Sequence, residues 1–522
     1  MEQATPGTRH AECLTARDKV KSLGELKHIV EAAKSRGESV VLAHGVFDLL
    51  HIGHIRHLEA AAKEGDVLVA TVTVDCHVNK GPDRPVFTDQ LRAEAVAALE
   101  HVDWVAINHE PTAENVIKAL QPDAYVKGIE YKDSENDITG KIDGECGLVQ
   151  SYGGRVVFTE DITYSSSSLI NRYLDVFEPS LKNYLEGVRD GGMMDRLNGL
   201  LDKVQDMNVL FIGDAIIDEY RYIKPLGKSP KENMIATLYE DNEVFAGGVF
   251  AAANHIAGFC KSVEIVTGVG DDGYLEFAQS ASKRNVKISG VVRKGTPTTR
   301  KCRYIDTGYN VRKLFEVYHM DDSQFSGADE RALLDAVSER ANAADIVIVT
   351  DFGHGLMTDR VIARLTKEAK FVAVNAQSNS ANLGFNLITK YHQADYICID
   401  QPEARLAVMD NHSPIEQVTS EMLPERIDCP RIVVTRGKNG CLAYERDHPL
   451  KLIPGFTNSI VDTVGAGDAF FAVSAPFVCA GASMEDAGFI GNAAGAMKVG
   501  IVGHRQSVDR VPFHKFVTTL LK

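Results

Sequence analysis

Residues 39–65 read SVVLAHGVFDLLHIGHIRHLEAAAKEG. The first part, SVVLAHGVFD, is an apolar, β-branched run of the kind that lies buried in a parallel sheet. The second part has helical spacing. Ile55, Leu58 and Ala62 make an apolar stripe, and Arg56, Glu59, Lys63 and Glu64 suit solvent. The stretch is therefore a strand running into a helix. A helix start offers unpaired N–H groups and a partial positive charge, so it is a ready place for an anion. His51 and His54 stand three apart and share a face of that helix start. Gly53 between them lets a bulky ligand approach the backbone. Such a junction suits nucleotide phosphates; the bland alternative is a pair of structural histidines.

Working outward, LGELKHIVEAAKSRG precedes the strand as an amphipathic helix closed by Gly37. After it come VLVATVTVD, WVAIN, DAYVKG and RVVFTE as strands, separated by the helices TDQLRAEAVAALE and AENVIKALQ and followed by SSSLINRYL. Strands alternating with helices predict βαβ units and a parallel sheet covered on both faces. This first α/β domain is expected over 1–177 and a helical connector over 178–206. A second α/β domain is expected over 207–522, opening with NVLFIGDAIIDEY and continuing through VEIVTGVG, DIVIVTDFG, FVAVNAQ, ADYICID and RIVVTRG. Within it, RKCRYIDTGYNVRKLFEVYH predicts a small β element.

The 522 residues exceed what one core usually organises, so more than one domain is the prior. A formal net charge of -16 argues against nucleic acid or an anionic membrane as partner, though not against small anionic substrates in a local positive pocket. None of the nine cysteines forms a Cys-x-x-Cys pair, which predicts reduced thiols in a cytoplasm rather than a zinc cluster or disulfide framework. The first residues show no secretory pattern, and no apolar run reaches membrane-spanning length.

GVFDLLHIGH resembles the H-x-G-H signature of the cytidylyltransferase-like nucleotidyltransferases. Further matches follow in that family's order: Lys80, Arg84-Pro85, Arg92, Lys127-Gly128 with Tyr131, and the run Ser165, Ser166, Ser167, Ser168. The resemblance covers residues 39–175 and implies a Rossmann-like domain. It implies that His51 and His54 contact phosphates, Lys80 neutralises charge and the serine run holds the leaving phosphates. Gly45, Phe47, Gly53, Arg92 and Lys127 would line the nucleotide. Asp48 either positions the site or caps a turn, and His44 is an extra phosphate contact. The attacking sugar phosphate is already anionic, so the chief task is to stabilise charge on phosphorus. Mg2+ is expected on the triphosphate, held mostly by phosphate and water.

The second decisive stretch is VDTVGAGDAFF, residues 461–471. Gly465-Ala466-Gly467 frees the backbone to aim N–H groups at one point, a long apolar helix follows, and Asp468 stands at its start as a proton acceptor. An anion nest beside a carboxylate is what phosphoryl transfer to an alcohol requires; the bland alternative is a glycine turn capped by Asp468. DTVGAGDAF resembles the C-terminal signature of the ribokinase/PfkB sugar kinases, and FAGGVFAAANHIAG resembles their N-terminal glycine motif. This resemblance spans 207–520 and implies a ribokinase-like α/β/α domain with a β lid. By it, Asp468 is the general base, and Thr463, Gly465, Ala466 and Gly467 hold the transferring phosphoryl group. Thr435, Gly437, Gly440 and Asn492 shape the nucleotide side. Asp214, Asp218, Gly247, Gly248, Asn254 and Arg303 face the acceptor, and Glu403 organises Mg2+ through water.

One chain with both modules resembles the bifunctional heptose 7-phosphate kinase/heptose 1-phosphate adenylyltransferases of surface-polysaccharide synthesis, with the order of the two halves reversed. That resemblance implies ATP and sugar phosphates as substrates, Mg2+ as cofactor and a homodimer through the small β element. The chain departs from the pattern at Asn375-Ala376-Gln377 and at His354 in DFGHG. Lys301, Arg303, Arg312 and Lys313 are either acceptor-phosphate contacts or a solvated charged ribbon. Two other readings stay open. One is a CTP-using transferase for a polyol phosphate joined to a kinase of different sugar preference. The other is a catalytically dead kinase half serving as a nucleotide-binding platform.

Overall fold

The computed structural model describes residues 15–78, 84–129, 141–159, 177–308, 312–457 and 459–522. The chain divides into two compact units, Met1–Phe177 and Glu178–Leu521, each with its own core.

The first unit is built on β1 (Val40–Gly45), β2 (Val67–Thr73), β3 (Trp104–Asn108), β4 (Ala124–Gly128) and β5 (Arg155–Thr159). They form a parallel sheet in the order β3-β2-β1-β4-β5. Alternation along β1 feeds two cores. Val41 and Ala43 pack with Leu58, Ala61 and Val96 on one face. Val40 and Leu42 pack with Leu26, Val30 and Ile117 on the other. The expected helix before β1 runs Leu23–Ser35, opened by a Ser22/Glu25 capping box, and Gly37 lies just beyond it at φ 82°. Strand order reverses between β1 and β4. Ligands of open α/β sheets bind outside the carboxyl ends of the strands at such a point, and both His51 and Lys127 lie there.

The second unit centres on nine strands. They are β6 (Asn208–Gly213), β9 (Ser262–Gly270), β10 (Val286–Arg293), β13 (Ile346–Asp351), β14 (Val372–Ala376), β15 (Tyr396–Asp400), β16 (Arg431–Thr435), β17 (Cys441–Glu445) and β18 (Lys451–Ile453). Their order is β10-β9-β6-β13-β14-β15-β16-β17-β18, and only the last two pairings are antiparallel. The direction of winding reverses between β6 and β13, which places Asp214, Asp351 and Gln377 at the strand-end crevice. A separate four-stranded sheet has the order β12-β11-β7-β8, from β7 (Ala215–Lys228), β8 (Ile235–Gly248), β11 (Thr299–Asp306) and β12 (Arg312–His319). The charged stretch 300–319 therefore supplies half of the small sheet. The other half is a long hairpin that leaves the main sheet right after Asp214. Residues 178–206 form the helices Pro179–Asp190 and Met193–Gln205, and these pack within the second unit, where Arg196 grips the buried Asp486 at 2.8 Å.

Candidate active sites

In the first unit the chain leaves β1 at Gly45 and reaches the helix Ile52–Ala62 through a tight turn. Phe47 (φ 51°) and Leu49 (φ 50°) both lie in the left-handed region, a strain that the surroundings must hold in place. Part of the holding is done by buried Asp48, which accepts the N–H groups of Val86 at 3.0 Å and Phe87 at 3.4 Å. Asp48 is thus the turn cap of the two alternatives. Gly45 matters because a Cβ there would lie 3.2 Å from the Phe47 ring.

The helix is capped by His51, whose Nδ1 accepts the Gly53 N–H at 3.1 Å. Accepting that bond leaves the lone pair on Nδ1, so the neutral ring carries its proton on Nε2 and can donate there. His54 stacks on His51 with ring centroids 4.0 Å apart, and Phe47 meets His54 edge-on at 5.6 Å. The strained turn therefore delivers two imidazoles as one packed block at a helix start.

Three expected contacts of this site have bonds within the scaffold. Arg92 is 1% exposed, and its guanidinium donates to the carbonyls of Phe87, Val46 and Thr73 and to Asp75 at 2.6 Å. It ties three chain segments together behind the turn, and little of its donor capacity remains for phosphate. Lys127 pairs with buried Glu145 at 3.4 Å and lies over the Tyr125 ring. Glu145 also accepts the Ala113 N–H and the Tyr125 hydroxyl. Burial alone would raise its pKa, but Lys127 and these donors hold it below the usual range. His44 bonds Thr71 Oγ1 at 2.9 Å, and burial with the nearby Lys127 charge pushes its pKa down to about 3. The ring is therefore neutral and held against β2. Lys80, Tyr131 and Ser165–Ser168 lie outside the described residues.

In the second unit Gly465 caps the helix Ala466–Cys479 in the left-handed conformation, φ 74°. The Ala466 N–H is used by the Thr463 carbonyl at 3.3 Å. Gly467 and Asp468 then carry the first-turn N–H groups that a helix leaves without intrahelical acceptors. Gly467 belongs to the expected nest, and Asp468 adds an N–H to it. Asp468 Oδ1 accepts from Gln377 Nε2 at 2.7 Å. Burial raises the Asp468 pKa, and the charge of His504 and the Gln377 bond hold it back.

Facing it, Asp218 is 3% exposed and pairs with Arg303 and, at 3.1 Å, with His504 Nε2. Burial would raise its pKa, but those two partners hold it well below the carboxylate range. A Cβ on Gly247 would lie 2.1 Å from Asp218 Oδ2, so only glycine admits this carboxylate. Gly248 has φ 52°, and a Cβ there would meet the Asp214 carbonyl at 2.7 Å. Asp214 itself accepts the N–H groups of Phe352 at 2.8 Å and His354 at 3.3 Å; burial and the Asp351 charge raise its pKa. It anchors the DFGHG loop.

Glu403 closes a capping box with Asp400 at 2.8 Å and also accepts the Ser378 N–H at 3.2 Å. Burial and the charges of Asp400 and Asp468 raise its pKa. Of the charged ribbon, Arg303 pairs with Asp218, and Lys313 pairs with buried Asp462 at 2.6 Å. Lys301 lies between the Tyr318 and Phe352 rings. Asn254 is turned elsewhere: it donates to Ala281 O at 3.3 Å and accepts the Lys283 N–H at 3.1 Å. Asn492 donates to Pro454 O at 3.2 Å. Thr435, Gly437 and Gly440 shape the β16–β17 turn, where a Cβ on Gly440 would lie 2.0 Å from Ile453 O.

Two residues of this site escaped sequence reading. Gln377 stood out only as a departure from a lysine pattern, although its place at the end of β14 was signal enough. His504 follows Gly503 in a polar loop, and nothing local marks it.

Residues 207–510 match the profile of the pfkB family carbohydrate kinases, and residues 42–172 match the cytidylyltransferase-like profile. The bifunctional protein HldE of Syntrophotalea carbinolica is 37% identical over 163 residues, 31% of this chain and 32% of that protein. The bifunctional protein HldE of Gluconobacter oxydans is 40% identical over 146 residues, 28% of this chain and 29% of that protein. The chain thus spans about a third of the length of these curated relatives. Phosphofructokinase-2 from Escherichia coli, solved in complex with potassium, superposes with a TM-score of 0.50 at 17% identity, covering 60% of this chain and 100% of that one. That likeness shows a shared fold.

Proposed function

Because the chain belongs to the pfkB family of carbohydrate kinases, we propose that its second unit phosphorylates the anomeric hydroxyl of a heptose phosphate with ATP. In the same reading the first unit joins a sugar 1-phosphate to ATP, giving an ADP-sugar and pyrophosphate. The observation that carries the kinase half is Asp468, held by Gln377 in the first turn of a glycine-opened helix at 2.7 Å. There it takes the proton of the acceptor hydroxyl as the new O–P bond forms and ADP leaves. The first-turn N–H groups of Gly467 and Asp468 face the charge on the moving phosphoryl group.

In the transferase half, an oxygen of the sugar phosphate attacks the α-phosphorus, and the bond to the β-phosphate bridging oxygen breaks. No protein nucleophile is needed. In this reading the His51 Nε2 proton, whose ring is oriented by the Gly53 bond, donates to phosphate oxygen. His54, stacked on the same block, is its neighbour in this role.

The acidic pair Glu403 and Asp400, with Asp468 close enough to raise the Glu403 pKa, is a set of charges that a divalent cation would relieve. Among the described residues no three carboxylate, imidazole or thiol groups cluster to hold a metal ion. Mg2+ would therefore be held largely by nucleotide phosphate and water, with Glu403 touching it through water. It would supply charge neutralisation on the phosphates. Two copies would pair through the four-stranded sheet, whose Leu226, Ile235, Leu238, Tyr239 and Phe315 are more than half exposed. No helix among the described residues is long and apolar enough to cross a membrane.

The test is a screen of six- and seven-carbon sugar phosphates with ATP and with CTP, run on the wild type, Asp468→Asn and His54→Ala. Asp468→Asn should lose kinase turnover by about 100-fold or more, as loss of a general base does, and keep pyrophosphate release. His54→Ala should show the reverse. Full kinase activity in Asp468→Asn, or a transferase that accepts only CTP, overturns the corresponding half.

A further inference from the structure

We infer that His504 is a further phosphate-contacting residue of the second unit, completing the anion site opened by Gly465–Asp468. The inference rests on the kinase reading above. His504 packs directly on the glycine loop: a Cβ on Gly465 would lie 2.8 Å from its Cε1 and 3.5 Å from its Nδ1. The ring is fixed from the other side by Asp218, 3.1 Å from Nε2, and from its edge by the Phe245 ring at 6.3 Å. Nδ1 is buried and has no hydrogen-bond partner. Buried polar nitrogens are rarely left unpaired, so a partner that arrives with the substrate explains this one.

The surroundings say what that partner is. Lys498 lies beneath the loop, a buried ammonium donating to Val464 O at 2.8 Å and Gly503 O at 2.7 Å. First-turn N–H groups converge from the helix. The carboxylates nearby are already engaged. Asp218 is held by Arg303 and His504. Asp462 is held by Lys313, the Tyr220 hydroxyl and two N–H groups. Asp468 is held by Gln377. What is missing beside Nδ1 is an acceptor-rich anion, and the anion this loop is shaped for is the transferred phosphoryl group. With both nitrogens protonated, the ring donates Nε2–H to Asp218 and Nδ1–H to a phosphoryl oxygen. Asp218 then orients the imidazole and balances its charge.

The experiment uses the full chain with 15N-labelled histidine. Long-range 1H–15N spectra are recorded alone, with Mg2+ and ADP, and with Mg2+ and the non-hydrolysable ATP analogue AMP-PNP. The His504 signals are those absent from the His504→Gln spectrum. AMP-PNP should shift them and show a proton on Nδ1, and ADP should not. His504→Gln should lower kinase kcat by about 100-fold, the size expected for one lost phosphoryl donor, with the KM for sugar within about threefold. Equal shifts with ADP and AMP-PNP, or an unprotonated Nδ1 in the AMP-PNP complex, overturn the inference. A wild type that phosphorylates no sugar yet gives the AMP-PNP-specific shift overturns the kinase reading and leaves the His504 contact standing.

Discussion

Gln377 is one hydrogen bond away from the proposed base, and that bond has a direction that can be measured. Its amide donates to the Asp468 carboxylate, so it favours the charged form and lowers the pKa that burial has raised. Asp468 works only as a carboxylate, so kinase kcat rises with pH through its pKa. Removing the donor raises that pKa further. Gln377→Leu should therefore move the acid limb of the kcat–pH profile to higher pH by about one unit, the equivalent of a charge-assisted hydrogen bond, while a plateau persists above it. An unmoved limb would mean that some other group sets it. Asn375 differs: its Nδ2 is spent on Cys398 O at 2.7 Å inside the sheet, so it belongs to the scaffold. Reading residues one at a time singles out Asp468, His51 and His54, because glycine spacing and helix starts are local signals. It does not foresee the scaffold partners of Arg92, Lys127 and Asn254, because the direction of a long or polar side chain depends on segments far away in the chain.

At the scale of elements, Arg92 is a buried cation that braces the turn of a candidate site. Its bonds reach Val46 on the turn after β1, Thr73 at the end of β2, Asp75 just beyond it, and Phe87 ahead of its own helix. Those are the pieces that hold Phe47 and Leu49 in left-handed backbone. Arg92→Met should cost the first unit about 3–5 kcal/mol, seen as a lowered thermal midpoint, because it strands several buried acceptors. Transferase activity should fall with the folded fraction. A normally stable Arg92→Met whose only defect is a raised KM for the triphosphate would restore Arg92 as a phosphate contact. The four-stranded sheet makes a different prediction. Tyr239 and Leu238 on β8 and Phe315 on β12 are 57%, 54% and 53% exposed, large apolar groups that water alone covers poorly. If a second copy covers them, Leu238→Glu should halve the mass seen by light scattering behind size exclusion. The alternation of β-branched and charged residues announced a β element in 300–319. The hairpin 215–248 was harder to see, since its start continues the apolar run of β6 and only the fold separates them at Asp214.

At the scale of the whole chain, the two units are legible because each repeats the alternation of strand and helix that a parallel sheet imposes, and each carries its own strand-to-helix junction with glycine in it. The segment 178–206 reads as a linker by its polarity, yet its buried Leu185, Leu197, Leu201 and Val204 face the second unit's core. An amphipathic helix is polar on average whether or not its stripe is covered. Two units with separate cores make a testable claim about cooperativity. Leu42 in β1 and Ile348 in β13 are both fully buried, one in each unit. Truncating either to alanine should cost about 2–5 kcal/mol where it sits. If the units unfold independently, Leu42→Ala lowers one calorimetric transition by several degrees and leaves the other, together with kinase turnover, where it was. Ile348→Ala should do the converse and spare pyrophosphate release. A single transition that moves as one in both variants would mean that the units stabilise each other, and the two chemistries would then have to be treated as coupled.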